Sequence, residues 1–471
     1  MLFPDRIYGL EHEYGVMNWR KSGSFQKTWS TNDKFMAKPI HDSVLDNKSR
    51  HRMWHINGSC SYVDTGDHPE HATAECRTVR DALLYAQAGD VLMNRIFSRE
   101  GFGDNGLHLF KNNIAYSDGT QKYVSFGCHE NYMMRNPQEL LFTLAPLLIT
   151  RQIIDGAGWW RKPIIESSPG SGQDIYLLSQ RAMMMEHAIN SGTIQNRAII
   201  NDRDNNDTGS TPRLHIICGD SNILEFACYL KMGAVALVLS LIEAGKIPFI
   251  PCYDPVSTMQ RIAQTGDPFL PCVGERHKRD KSAFDIQAIY CEIAQREIVN
   301  GEFESEETEA DLNRIARYWG RALNAIYRRD HEWMLGRFDH VTKKYLIDRE
   351  LLRHRITDPL QMSTLPEDID IMYHNITNPV LRERMNMKWA DRRILTDQEI
   401  ERALVESPSH TRAKIRSRFV AHAIEHHLSN LHIEWPRCGF LANPDACFPT
   451  NDPLSYETDD LDHFLSSQKT T

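Results

Sequence analysis

No two cysteines in the sequence stand in a C-x-x-C arrangement, although ten are scattered between Cys60 and Cys447. That scatter excludes a zinc ribbon and a dense disulfide framework, and it fits reduced cytosolic thiols. No run of about 18 apolar residues, the length that crosses a bilayer, occurs anywhere, and the N-terminus MLFPDRIYGLEHEYG has no apolar stretch of signal-peptide length. The expectation is a soluble, cytoplasmic protein without a membrane partner. Positive charge is also in deficit: 54 Lys and Arg face 63 Asp and Glu, a formal net charge of -9. General nucleic-acid binding requires a basic surface to meet phosphates, so no nucleic-acid partner is expected. A Walker-type G-x-x-x-x-G-K-[ST] is missing too, so any phosphate site must be built in another way.

What the sequence has instead is carboxylate at strand positions. RIYGLEHEYGVM, residues 6–17, reads as a short strand in which Glu11 and Glu13 share a face. YVDTGDHPEHATAEC, residues 62–76, carries Asp64, Asp67, Glu70 and Glu75. Its start reads as a second strand and HATAEC as the beginning of a third, with His68-Pro69 as the turn between them. His129-Glu130 ends a fourth strand. If these strands pair in one antiparallel sheet, the carboxylates converge on one face. Hard oxygen ligands of that kind suit Mg²⁺, whose coordination is usually completed by nucleotide phosphates. Taken on spacing alone, unrelated surface acids are the plainer alternative.

The rest of the chain supplies a scaffold. Residues 18–57 read as polar and irregular, and TVRDALLYAQAGDVLMNRIF as a helix. LHLFKNNIAY and KYVSFGCHENYMM flank Ser117-Asp118-Gly119-Thr120 and predict a hairpin. PQELLFTLAPLLITRQIIDG is helical, PRLHIICGDS is a strand, and EFACYLKMGAVALVLSLIEAG is a buried core helix. Residues 285–405 are mainly helical and highly charged. Beyond a boundary near 405 come a basic helix, TRAKIRSRFVAHAIEHHL, a strand-like LHIEW and a Pro-rich tail.

Many of these pieces, in this order, resemble the Pup ligase and depupylase family, relatives of glutamine synthetase among the carboxylate-amine ligases. The matching motifs are GLEHEYG at 9, YVDTGDHPEHATAEC at 62, LFKNN at 109, GCHENY at 127, TRQIIDGAG at 150 and LSQRA at 178. They continue with RLHIICGDSN at 213, KMGAVALVLSLIEAG at 231, DIDIMYHNI at 368, TRAK at 411 and the tryptophan of HIEW at 435. The ligase branch is the more similar. Three residues separate Asp64 from His68 where depupylases typically have two, A-T-A-E-C and the Cys of GCHENY are ligase-like, and the interval after Gly15 is too short for the extended depupylase loop.

The resemblance implies an α+β fold: a large glutamine synthetase-like domain, residues 1–405, with a curved antiparallel β-sheet cradle packed on helices, and a small C-terminal domain, residues 406–471. It implies ATP and Mg²⁺ as cofactors, with a Pup-like modifier and lysine-bearing target proteins as partners. The C-terminal Glu of Pup would be activated as a γ-glutamyl phosphate and joined to a target lysine, marking the target for proteasomal degradation. A depupylase, a Pup deamidase or a non-catalytic homologue are the alternatives. By motif position, Glu11, Tyr62 and Glu70 are similar to magnesium ligands, joined by Glu13 and His129. Asp64 is similar to the catalytic base, and Thr73, Trp435 and Arg213 to nucleotide contacts. His215 also matches a motif position. Where the family has an ATP-contacting arginine two residues before the tyrosine, this chain has Cys60. Either another cation compensates or affinity for ATP is altered. The acidic, His-containing run usual after Arg203-Asp204 is replaced by NNDTGSTP. ERHKRDK, residues 275–281, is the most basic short run and a candidate contact for an acidic modifier.

Overall fold

The computed structural model describes residues 1–19, 25–26, 40–45, 52–64, 66, 68–99, 107–116, 123–135, 140–161, 175–193, 195–203, 212–356, 359–429, 431–440, 447–457 and 459–467. The expected hairpin turn at 117–120, Asp67 and most of the loop after Arg203 lie outside these residues.

One nine-stranded sheet organises the molecule. Its strands, numbered in chain order, are β1 Tyr8–Glu13, β2 Ser43–Leu45, β3 Arg52–His55, β4 Cys60–Val63, β5 Pro69–Ala72, β6 Cys128–Met133, β7 His187–Asn190, β8 Ala198–Asn201 and β9 Arg213–Ile216. They lie in the order β7-β8-β9-β6-β1-β5-β4-β3-β2, antiparallel throughout except for β7 with β8. Side chains alternate across such a sheet, so each strand contributes to two different environments. Leu10, Cys128, Tyr132, Leu214 and Ile216 enter the main core. They pack there with residues of three helices, α1 Val79–Arg99, α2 Leu140–Thr150 and α3 Glu225–Glu243. Helix α3 is long and apolar enough to cross a membrane, yet 94% of its apolar window is buried inside the protein, as a core helix requires.

Helix starts between 283 and 405 are written locally. Ser282 with Asp285 and Thr396 with Glu399 form capping boxes, and Ser305 caps the helix Glu306–Arg328. The expected hairpin is present as Ile114–Tyr116 paired with Tyr123–Ser125.

Three local expectations are corrected. The strand expected over 6–17 breaks at Tyr14, and Gly15–Trp19 pairs instead with Leu107–Phe110 in a separate sheet. Residues 18–57 are not wholly irregular, since they contain β2 and β3. Their pattern is concealed because both faces of β3 are covered: Met53 and Trp54 are both fully buried, so the alternation that marks a half-exposed strand is missing. Pro69, expected in a turn, is the first residue of β5, a strand position where its missing N–H is tolerated.

Past residue 405, the basic stretch forms α4 Ala413–Glu425. LHIE forms β10 Leu431–Glu434, and the tail folds further into β11 Arg437–Phe440, β12 Cys447–Pro449 and α5 Asp459–Ser467. Phe419, Val420, Leu431, Ile433, Phe440 and Leu461 share one core with Trp54 and Cys60, so this unit packs on the β3–β4 edge of the main sheet. The contact is close at Gly58, whose φ is 81°; a Cβ there would lie 2.8 Å from the carbonyl oxygen of Ala413.

Candidate active site

Register brings the strand carboxylates together. Glu13 stands opposite Glu70 and Glu70 opposite Tyr62, while Glu11 stands opposite both His129 and Ala72. Because directly opposed residues share a face, Tyr62, Glu70, Glu13, Glu11 and His129 form one patch across β4, β5, β1 and β6. His215 of β9 adds to it: its ring lies 5.1 Å from that of His129. Two overlapping donor groups result, Glu11 with His129 and His215, and Glu13 with Glu70 and His129, the donor atoms of each lying within 4.8 Å of one another. Gly127 leaves room for this patch, since a Cβ there would lie 2.4 Å from His129 Nε2 and would displace that ring.

The carboxylates of this patch are shifted in opposite directions. Burial raises Glu11, but the His129 hydrogen bond at 3.3 Å and the charges of His215 and Arg213 hold it at about 2. Glu13, also raised by burial, is held at about 2 by His68 at 3.2 Å, by His129 and by the Gly127 N–H. Glu70 goes the other way. Burial and the negative charges of Glu11, Glu13 and Asp64 push it well above the ordinary carboxylate range, against a hydrogen bond from Tyr62. A divalent cation at this point would reverse that repulsion, and the oxygen-rich donor set fits Mg²⁺ completed by phosphate oxygens. Neutralising Glu70 as Glu70→Gln is therefore expected to raise the melting temperature of the metal-free protein by about 2 °C. The same variant should lose the stabilisation that Mg²⁺ with ATP confers on the unaltered protein. Melting curves with and without Mg²⁺ and ATP check both parts, and an unchanged Mg²⁺ response removes Glu70 from the cation site.

The patch opens into a cleft of about 280 Å³ lined by Glu11, Tyr62, Asp64, Glu70, Thr73, His129, Arg213 and Trp435. Every residue singled out from sequence except Glu13 faces this one space; Glu13 is 9% exposed and sits behind it against His68 and Gly127. Asp64 stands at the end of β4, where its N–H donates to the His68 carbonyl at 2.9 Å. The Thr73 hydroxyl oxygen accepts the Leu10 N–H at 3.0 Å. The Arg213 guanidinium donates to Asn131 Oδ1 at 2.7 Å, while its Nη2 is buried without a partner among the described residues.

Two acids noted in the sequence are taken up by arginines instead, although Glu75 also borders the cleft. Glu130 faces the core and is bound by both terminal nitrogens of Arg151. Glu75 receives Arg412 Nε at 2.7 Å and both terminal nitrogens of Arg416 at 2.8 and 2.9 Å, which clamps α4 to the sheet. The Arg416 guanidinium lies between Trp54 and Trp435, 4.8 and 4.6 Å from their ring centres. This clamp is what holds Trp435 at the wall of the cleft.

Comparison with known proteins identifies the family and the fold. The family model described as Pup-ligase protein matches residues 6–438. The chain belongs to the Pup ligase family. Curated relatives named Pup--protein ligase include one from Acidimicrobium ferrooxidans, 32% identical, and one from Corynebacterium aurimucosum, 31% identical. Each alignment covers 98% of this chain, with 98% of the first relative and 96% of the second. A solved structure described as the complex between the prokaryotic ubiquitin-like protein Pup and its ligase PafA superimposes with a TM-score of 0.83 at 29% identity, covering 98% of this chain and 92% of that one. A second, of PafA in complex with ADP, gives 0.77 at 30% identity over 89% of this chain and 90% of that one. The α+β architecture, with a mainly antiparallel sheet on helices, is thus that of a Pup ligase.

Within this family fold, sequence reasoning missed Arg52 and Arg412, which also line the cleft. Arg412 lies in the TRAK motif but has no local signal of a role. Arg52 falls in the segment whose strand pattern is concealed by burial on both faces.

Proposed function

We propose that the chain is an ATP-dependent ligase that joins the side-chain carboxylate of the C-terminal Glu of Pup to a lysine of a target protein. The observation that carries this reading is the meeting of Glu11, Glu70, Asp64 and Trp435 around one cleft, with Glu13 directly behind it, in a chain that aligns end to end with Pup ligases. Residues 1–405 act as the catalytic domain, residues 406–471 as a small C-terminal domain that contributes Trp435, and the cytoplasm is the site of action.

Trp435 packs beside the adenine. Thr73, its oxygen already accepting the Leu10 N–H, has its hydroxyl hydrogen left to donate to the nucleotide. Arg213 turns its unpartnered nitrogen to phosphate, which suits the planar guanidinium. Glu11, Glu13, Glu70, Tyr62 and His129 would hold Mg²⁺. When bound, Mg²⁺ neutralises charge on the phosphates and aligns the reacting groups in line. The modifier carboxylate attacks the γ-phosphorus and ADP leaves, giving a γ-glutamyl phosphate. Near neutral pH the target lysine is mostly protonated, so Asp64 takes its proton; the free amine then displaces phosphate and an amide forms.

The test is to incubate the protein with ATP, Mg²⁺, a lysine-bearing target and Pup ending in Glu, and separately with a preformed isopeptide conjugate. Conjugate formation with ADP release is expected. Release of Pup from the conjugate without conjugate formation would overturn the ligase reading in favour of hydrolysis, and no reaction in either would leave a nucleotide-binding homologue.

ERHKRDK lies on a small exposed hairpin, Val273–Glu275 with Lys278–Lys281, in which Lys278 and Lys281 pair with Asp280. Arg276 stacks on Tyr253 at 5.3 Å. Replacing the Lys and Arg of this run by Ser is expected to weaken modifier binding at low salt and less so at high salt. Unchanged affinity by titration at both salts would exclude the hairpin as a contact.

A further inference from the structure

Bound nucleotide carries its charge on a polyphosphate, and the arginines lining the cleft are unevenly available to meet it. Arg412 is committed to Glu75 and, through Nη1, to the Thr450 carbonyl at 3.0 Å. Arg213 is shared with Asn131 and lies 3.8 Å from Glu11. Arg203 is exposed and follows β8, on the far side of Glu11 from β4. Arg52 is different. It sits on β3, it is partly buried, it lines the cleft, and no carboxylate or carbonyl among the described residues takes its guanidinium.

Register fixes where Arg52 reaches. It stands directly opposite Tyr62, and Trp54 stands opposite Cys60, so Arg52, Tyr62 and Cys60 share the cleft face. Arg52 and Cys60 are diagonal neighbours, about 7–8 Å apart in backbone and within the span of an arginine side chain. Cys60 is fully buried and brings no charge to this edge. The guanidinium of Arg52 can therefore cover the surface above both β4 residues, on the side of the cleft opposite Arg213.

We infer that Arg52 is the nucleotide-phosphate contact on this edge of the cleft, supplying from β3 the cation that β4 lacks at Cys60. This rests on the ATP-binding reading given under Proposed function. A guanidinium bonded to phosphate discriminates by phosphate number, whereas a packing residue would not.

Calorimetric titration in Mg²⁺ with ATP, ADP and AMP tests it on the full chain. Arg52→Ser should weaken ATP about tenfold or more, ADP less, and AMP within twofold, with an unchanged melting temperature in the absence of nucleotide. Arg52→Lys, which keeps the charge but not the fork, should fall between. In the double variant Arg52→Ser/Cys60→Arg, the relocated charge should restore most of the ATP affinity. ATP binding by Arg52→Ser within twofold of the unaltered protein overturns the inference and leaves the ATP-binding reading standing. Equal loss for all three nucleotides also overturns it, as a packing effect. Absence of ATP binding by the unaltered protein overturns both.

Discussion

Replacing Asp64 by Asn is expected to lower the rate of conjugate formation by about 10²–10⁴-fold, the usual contribution of a positioned general base. The fold should survive, because Asp64 lies at the end of β4 on the cleft side and its link to His68 runs through the backbone, which Asn keeps. Formation of ADP and γ-glutamyl phosphate with Pup alone should persist, since that half-reaction needs no proton taken from lysine. The deficit should also shrink as pH rises toward the lysine pKa of about 10.4, where solvent leaves more of the amine neutral. Gel-based conjugation rates across pH, with ADP release measured separately, check each part. Conjugation within tenfold of the unaltered protein at neutral pH would remove Asp64 from the role of base.

Glu75→Ala should be the most damaging change to stability among the acids of YVDTGDHPEHATAEC. Glu75 is nearly fully buried, and its removal leaves Arg412 and Arg416 as buried charges with their carboxylate gone. Breaking a buried pair in this way costs about 3–5 kcal/mol. The Glu75 carboxyl points to the same size of effect: burial raises it, yet Arg416 and Arg412 hold it at about 2 in place of 4.5. That displacement corresponds to about 3 kcal/mol. A depressed carboxylate contributes its full stability above the unfolded value and loses it as pH falls from about 4.5 toward 2, so the unaltered protein should lose stability over that window and Glu75→Ala should lose much less. Because Arg416 also carries Trp435 on its guanidinium face, ATP affinity should drop in the same variant. Denaturant melts at pH 7 and below 4, together with ATP titration, measure both effects. An unchanged midpoint at pH 7 would show that the clamp is dispensable.

These two residues mark how much of the site was legible in advance. Asp64 and Glu70 could be assigned because they stand in a distinctive motif. Glu11 and Glu13 were visibly on one face because side chains along a strand alternate with a period of two. Glu75 stands in the same motif yet had no assignable role: its partners are 337 and 341 residues away, and nothing local distinguishes a clamp from a ligand. Glu130 misled by adjacency. It follows His129 in the chain but, by alternation, faces the opposite side of β6 and serves the core.

The sequence by itself determined the elements with strong local signals: the capped charged helices, the apolar α3, the paired carboxylates of β1, and the ordered motifs that point to a Pup ligase. Those signals are short-range, set by side-chain period, capping and turn chemistry. Only the tertiary structure decided that β1, β4, β5, β6 and β9 align so that Glu11, Glu13, Glu70, His129 and His215 share one patch. Register between strands far apart in the chain depends on the core beneath them, a sum over many side chains that no window of sequence contains. The same holds for Trp435 and Arg52. One reaches the cleft because α4 docks on the β3–β4 edge, the other because it lies on a strand whose two-sided burial erases the alternation by which strands are recognised.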